Sequence, residues 1–407
     1  MHYRLSIICA CVIIMMSISP LWAQVDGVIV AWGRNDDGQC NVPNPNEHFI
    51  AVEGGSYHTL GLKEDGSILA WGDNILGQCN VPSPNENFIA VQGGGFHSLG
   101  LKNDGSIIAW GWNTHGQCDV PSPNEDFIAI AAGGGFSYGL KADSSIIAWG
   151  YNGNGQCDIP LPNENFIAIS AGGATGLGLK ADGTIIAWGD DFYGQATVPL
   201  PNEDFIGIAA GQYHCLGLKN DGSIVAWGYN EYGQCDIPAS NQEFTAIASG
   251  YYHSLGLKQD STVNAWGRNN YGQCNIPAPN NNFVTISTGL SHSLGIRNTI
   301  IAVKENADPG IQPFNKLSIT GVYPNPTNSA ANIIFWSPDL EYIVLEVYDI
   351  SGCLVKAEEL TGAQAGENCT VWNSTDISGN RLSSGIYFIR IKDNTGNTAF
   401  TRIVLTR

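Results

Sequence analysis

Positive charge is scarce in this sequence. Its 407 residues include 18 Lys and Arg against 37 Asp and Glu, for a formal net charge of −19. So few cations cannot neutralise a run of phosphates, which argues against DNA, RNA or acidic lipid as a partner. The acidic excess reads first as a solubility feature. Long apolar runs are also missing: beyond the N-terminal segment nothing is apolar enough to span a bilayer as a helix. Aromatic and β-branched residues stand in place of strong helix formers. With 50 Gly and 11 Trp, this points to an all-β, turn-rich chain. No Ser-His-Asp arrangement, His-Glu-x-x-His motif, phosphate loop or isolated carboxylate pair stands out. The chain is therefore not expected to be an enzyme or to need a cofactor or metal.

What is present begins with Met1-His2-Tyr3-Arg4, an apolar run from Leu5 to Ser19, and Pro20-Leu21-Trp22-Ala23 before Gln24. A short basic start, an apolar stretch and a small residue at the boundary read as a secretory signal peptide cleaved after Ala23. Cys9 and Cys11 fall too early for a lipid-anchored cysteine. The mature protein is expected outside the cytoplasm.

An internal ruler follows. Trp32, Trp71, Trp110, Trp149, Trp188, Trp227 and Trp266 recur every 39 residues without insertion or deletion, the mark of a repeat architecture. Each unit has a strand ending Ala-Trp-Gly (Ile107 to Gly111), a polar turn ending Gly-Gln-Cys (Gly116 to Cys118) and a Pro-containing segment. A second strand (Phe127 to Ala131), a Gly-rich bend, a third strand (His97 to Lys102 in the preceding copy) and an Asp-Gly hairpin complete it. Three short strands cannot bury their own faces, so neighbouring units must cover them. A solenoid would need atypical caps, whereas this chain starts and stops inside a unit: Asp26 to Trp32 supplies one strand, and the last unit ends at His292 to Arg297. An orphan strand at one end and a gap at the other suit a closed propeller. Either the N-terminal strand or Ile300 to Val303, a degenerate copy without Trp, completes the last blade.

The pattern His-Ser-Leu-Gly-Leu-Lys-x-Asp-Gly-Ser-Ile-x-Ala-Trp-Gly-x-Asn-x-x-Gly-Gln resembles the regulator-of-chromosome-condensation repeat, in the compact bacterial form also found in a secreted β-lactamase-inhibitor propeller. The resemblance covers roughly residues 25 to 304 and implies a seven-bladed β-propeller. Eukaryotic members of the family exchange guanine nucleotides on a small GTPase. This chain departs from them in its signal peptide, its shorter units and its lack of an inserted wedge.

Three repeated positions invite chemistry. His58, His97, His214, His253 and His292 share one position, taken by Phe136 and Thr175 in the other two units. A ring of imidazoles suggests a metal, but Phe in a ligand ring is intolerable, so each is expected to be a structural histidine bonded to backbone within its own blade. Cys40, Cys79, Cys118, Cys157, Cys235 and Cys274 share another position, with Ala196 in the remaining unit. Adjacent copies lie about 0.87 radii apart in a seven-fold ring, which at roughly 10 Å exceeds the Cα reach of a disulfide, about 4.4–6.8 Å. Small thiols packed at a turn are expected, and Cys215, Cys353 and Cys369 are the better candidates for pairing. The Asp-Gly turns, with Ser144 and Ser261 replacing Gly in two units, read as hairpins and not as catalytic or calcium-binding acids.

Partner information is expected where the units differ. Between Trp-Gly and Gly-Gln the loops place Trp112, Tyr151, Phe192, Tyr193, Tyr229, Tyr232 and Tyr271, with Arg34 and Arg268, on one rim or face by ring symmetry. This has the composition of a binding surface; aromatics covering blade seams are the alternative. Tyr57, Phe96, Tyr213, Tyr251 and Tyr252 form a second variable set.

After Val303 the period ends. Alternating strands reappear at Ala331 to Trp336, Ile343 to Asp349, Gly385 to Lys392 and Thr398 to Leu405, enough for a small immunoglobulin-like β-sandwich. Tyr323-Pro-Asn-Pro326, Val347 to Gly352, Leu382 to Phe388 and the terminal Thr401 to Arg407 resemble the C-terminal sorting domain of the type IX secretion system. That resemblance implies passage across an outer membrane and attachment to the cell surface or release. The expected organisation is a signal peptide (1–23), a seven-bladed propeller (24–304), a linker (305–316) and a sorting sandwich (317–407). The expected function is a secreted or cell-surface binding module whose rim loops hold an extracellular protein or glycan, the tail engaging the secretion machinery. The chain is expected to be a monomer. The alternative is an inhibitor of a secreted enzyme; nucleotide exchange or a polysaccharide-active enzyme ranks lower.

Overall fold

The computed structural model describes residues 27–298, 317–323, 330–337, 343–349, 354–360, 364, 366–383, 385–393 and 398–405. The signal segment, the copy at 300–303, the linker at 305–316 and Cys353 lie outside them. The described residues are all-β and fall into two compact units, 27–298 and 317–405.

The first unit comprises seven three-stranded antiparallel sheets. Blade 1 pairs Phe49–Gly54, His58–Lys63 and Ile68–Gly72 in that order, and blades 2 to 6 repeat it down to Val263–Gly267. Blade 7 takes Phe283–Thr288 and His292–Asn298 from the end of the repeat region and its third strand, Gly27–Gly33, from the start. The pairing runs from Gly27 opposite Asn298 to Gly33 opposite His292. The N-terminal strand is therefore the one that closes the ring.

Each hydrophobic cluster spans two blades, which is why no blade stands alone. Leu60, Leu62 and Ile68 of blade 1 pack on Phe88, Val91 and Trp110 of blade 2. Ile29, Leu294 and Ile296 of blade 7 pack on Phe49, Val52 and Trp71 of blade 1, so the closing seam matches the others. Full burial of one such side chain contributes about 1.5–3 kcal/mol. The Gly of each Leu-Gly-Leu strand makes room for an aromatic ring: a Cβ on Gly61 would lie 2.6 Å from the Phe49 ring.

Two local devices hold the blade edges. Asn85 in the Pro-containing segment accepts from the Ile68 amide and donates to the Ile68 carbonyl, both at 2.8 Å, standing in for a neighbouring strand. The same clasp recurs in every blade, through to Asn280 on Val263. The Asp-Gly hairpin is a turn in which only the Gly position is left-handed, with Gly66 at φ 77° and its amide on the Lys63 carbonyl. The preceding Asp65 accepts from the amide and hydroxyl of Ser67, which holds its carboxyl below the usual range. These acids serve the turn.

The second unit is a β-sandwich. One sheet orders Ser318–Tyr323, Ala331–Ser337 and Gly366–Trp372; the other orders Leu354–Leu360, Ile343–Asp349, Gly385–Asp393 and Thr398–Leu405. Alternation sends Ile333, Phe335 and Trp372 from one sheet, and Leu345, Ile389 and Ile403 from the other, into a common core. The buried Glu346 on the opposite side is satisfied by Lys392 at 2.8 Å, by Arg390 and by Tyr348.

Candidate functional site

The repeated histidines lie in the blade seams. His58 Nε2 of blade 1 is 3.0 Å from Ser98 Oγ of blade 2, and Ser98 donates to the Gln78 carbonyl, 2.9 Å away, in the segment joining the two blades. Trp110 Nε1 donates to that same carbonyl at 2.9 Å. Because the hydroxyl proton goes to Gln78, the histidine must be the donor to Ser98, which fixes its proton on Nε2. Five seams carry this relay, the others running His97–Ser137, His214–Ser254, His253–Ser293 and His292–Thr59. The expectation of a backbone bond within the histidine's own blade is corrected: the partner is a hydroxyl of the next blade. Burial holds the five imidazoles neutral, lowering their pKa to about 4 for His58 and His253 and to about 3 for His97, His214 and His292.

The two exceptions change as sets. Where Phe136 replaces His, the residue 40 positions on is Gly176, and the hydroxyl of Tyr138 occupies the vacated space. Tyr138 donates to the Gln156 carbonyl and accepts from Trp188 Nε1 at 2.9 Å. Where Thr175 replaces His, its hydroxyl donates to the Asp190 carbonyl at 3.0 Å, and the residue 40 positions on is Cys215, whose buried thiol faces the Gln195 carbonyl at 3.5 Å. Cys215 is thus a seam residue and not a disulfide candidate, and Cys369 is a free, exposed thiol. The six repeated cysteines are also free. Each packs on its turn as Cys40 does, with Sγ 3.2 Å from the Arg34 carbonyl and its amide bonded to Asn35 Oδ1 at 2.8 Å. Burial pushes the Cys40 thiol up to about 12, away from reactivity.

The variable loops share one face. In each blade the first residue after Trp-Gly donates its amide to the Gly-rich bend of the same blade: Trp112 to the Phe96 carbonyl at 2.8 Å, Tyr229 to Tyr213 at 2.9 Å, Arg268 to Tyr252 at 2.8 Å. Bends and loops therefore lie at the same end of the strands, opposite the Asp-Gly hairpins. Around the axis the bends are also joined blade to blade, as in Ser56 N to Gly94 O at 3.1 Å and Gly95 N to Gly133 O at 3.0 Å.

On this face the structure brings most of the expected residues together. Tyr229 lies 4.6 Å from Tyr193 and 5.6 Å from Tyr252 by ring centroids; Tyr232 lies 4.9 Å from Tyr252, and Tyr213 stacks on Tyr252 at 5.8 Å. Arg268 sits over Tyr232 at 5.0 Å and Tyr252 at 5.5 Å. Arg34 sits over Tyr57 at 5.0 Å and Tyr271 at 5.4 Å. Trp112 joins Tyr151 through His115, at 5.0 and 4.9 Å. Phe192 packs edge-on against Tyr193 and is 82% exposed. His115 was not anticipated from sequence; its place in a variable loop was the available signal. The rings straddle seams and remain open to solvent, Tyr151, Tyr193, Tyr232 and Tyr271 all being exposed. Among the described residues no group of three or more His, Cys, Asp or Glu is placed to hold a metal.

Six of the seven blades match a known sequence family, the regulator of chromosome condensation (RCC1) repeat, at residues 49–78, 88–117, 127–156, 166–195, 205–234 and 244–273. The chain carries six such repeats in succession. A seventh escapes a linear match because blade 7 is assembled from both ends of the repeat region. Residues 321–406 match the secretion system C-terminal sorting domain. No curated protein matches the chain. Among solved structures, Prp20p of Saccharomyces cerevisiae is 16% identical with a TM-score of 0.58, covering 69% of this chain and 93% of that one. Human WBSCR16 is 17% identical with a TM-score of 0.55, covering 68% and 100%. The ectodomain of the receptor kinase CR4 of Physcomitrella patens is 23% identical with a TM-score of 0.50, covering 60% and 69%. These likenesses establish the fold of the repeat propeller. Its sorting tail marks it for type IX secretion to the cell surface or the extracellular space, which entails an interaction with the secretion machinery. Neither matched family is one of enzymes.

Proposed function

We propose that this is a secreted or surface-displayed binding module that holds an extracellular protein or glycan on the loop face of its propeller. The observation that carries the reading is the concentration of half-exposed rings from different blades, with Tyr229 touching Tyr193, Tyr232 and Tyr252 beside Arg268. Tyrosine and tryptophan offer large contact area with little entropy lost on ordering, and with arginine they dominate binding hot spots. The fixed positions of the repeat are occupied by clasps, turns and seam relays, whereas this face is where the units diverge. The acidic surface opposes nucleic acid as the ligand.

Capture from a natural extracellular extract tests the proposal. The wild-type chain should retain a partner that Trp112→Ala with Tyr229→Ala loses. Undiminished capture by the double variant would remove the face as the site. Turnover of a polysaccharide by the purified propeller would replace binding with catalysis.

A further inference from the structure

The charge and geometry of the loop face narrow the class of partner, an inference that rests on the binding reading above. The seven loops 34–41, 73–80, 112–119, 151–158, 190–197, 229–236 and 268–275 carry nine carboxylates and two arginines. Arg34 is already engaged: its Nε is 2.8 Å from Asp36 Oδ2 while the guanidinium lies over the rings of Tyr57 and Tyr271. The loop leaving blade 5 keeps the same surroundings. Tyr252 stands where Tyr57 does, Tyr193 where Tyr271 does, and Glu231 where Asp36 does, but Tyr229 replaces the arginine. Tyr229 contacts both tyrosines and donates its hydroxyl to Glu231. The result is a set of rings tilted against one another beside a solvent-exposed carboxylate, with Arg268 covering Tyr232 and Tyr252. Such a site accepts a guanidinium by stacking and by charge-assisted hydrogen bonding.

We infer that the partner is a protein presenting arginine or lysine side chains, with its anchoring cation seated against Tyr229, Tyr193 and Glu231, while Arg268 keeps its own place over Tyr232 and Tyr252. Charge complementarity on an acidic face also speeds encounter and rejects acidic competitors. A neutral glycan can donate hydroxyls to the carboxylates but gains no charge pairing from them.

The test uses the full exported chain with a fluorescent arginine–glycine repeat peptide and a counterpart in which every arginine is citrulline, neutral and of nearly the same shape. The arginine peptide should bind at least tenfold tighter than the citrulline one. Glu231→Gln and Tyr193→Ala should each weaken it about tenfold, and Glu64→Gln, which removes one charge from a hairpin on the opposite face, should leave it unchanged. Equal binding of the two peptides, or equal loss from Glu64→Gln and Glu231→Gln, would overturn the inference by reducing the effect to shape or to net charge. Capture of a neutral glycan that Tyr229→Ala abolishes would sink the cationic partner and leave the binding face standing. A natural partner retained by Trp112→Ala with Tyr229→Ala would sink the binding face itself.

Discussion

Acid should open this propeller through its seams. Each of the five seam histidines titrates at an ordinary 6.5 when unfolded and is held neutral by burial down to about 3 or 4 when folded. A depressed folded pKa means that the unfolded chain binds more protons below pH 6.5, so the stabilisation is complete above that pH and falls as pH drops towards 4. Between pH 7 and pH 5 the cost is about 1.8 kcal/mol per histidine, or roughly 9 kcal/mol for the five, against a typical total stability of about 5–15 kcal/mol. Denaturant unfolding followed by tryptophan fluorescence at half-unit steps from pH 7.5 to 5 gives the slope, expected to approach five protons near pH 5. The Phe136, Tyr138 and Gly176 seam provides the control. Its transfer to the next seam as His97→Phe, Leu99→Tyr and Ser137→Gly should reduce the slope by one proton without loss of folding at pH 7.5. A wild-type slope of two protons or fewer, or one that the triple variant leaves unchanged, would refute the assignment of neutral, donor-only imidazoles.

Three further outcomes are expected. Ser144 and Ser261 sit at φ 68° and 66° where other blades have Gly, so Ser144→Gly and Ser261→Gly should each stabilise by about 0.5–1 kcal/mol in chemical unfolding; destabilisation would show that the serines supply something the turn needs. Thr175→His alone leaves Nε2–H facing a thiol, and adding Cys215→Ser should restore an acceptor, giving a favourable coupling of about 1 kcal/mol in a double-mutant cycle; strict additivity would count against the relay. Deleting 317–407 should leave the propeller in the periplasm by cell fractionation, and normal display after that deletion would count against export through the tail.

Much of the fold was legible because the repeat is so regular. The seven tryptophans set the period, and the orphan strand Asp26 to Trp32 with a unit left incomplete at His292 to Arg297 pointed to a closed ring. The choice between that strand and Ile300 to Val303 was not readable, as both carry apolar alternation. The seam relay is present in the sequence: each of the five repeated histidines is followed 40 residues on, or across the closure, by Ser or Thr, and the exceptions pair Phe136 with Gly176 and Thr175 with Cys215. Comparison of one unit with the next does not reveal it, because the bond runs between units. For the same reason Cys215 looked like an orphan thiol. In the tail, the strands at 354–360 and 366–372 lacked a clear signal; the first is largely exposed and charged, so alternation does not mark it. The aromatic loops were identified one by one from sequence. Their union into clusters required the bend-to-loop hydrogen bonds that place both variable sets on one face.

The most direct measurement is cross-linking of the wild-type chain to its captured partner, with the linked peptides located by mass spectrometry. Cross-links should fall in the loops that carry Trp112, Tyr193, Tyr229 and Arg268 and in the adjoining bends at 211–213 and 250–252. Cross-links confined to the opposite hairpins, such as Lys63 to Ser67, or to the sandwich, would contradict the claim that this protein binds through the aromatic face of its propeller.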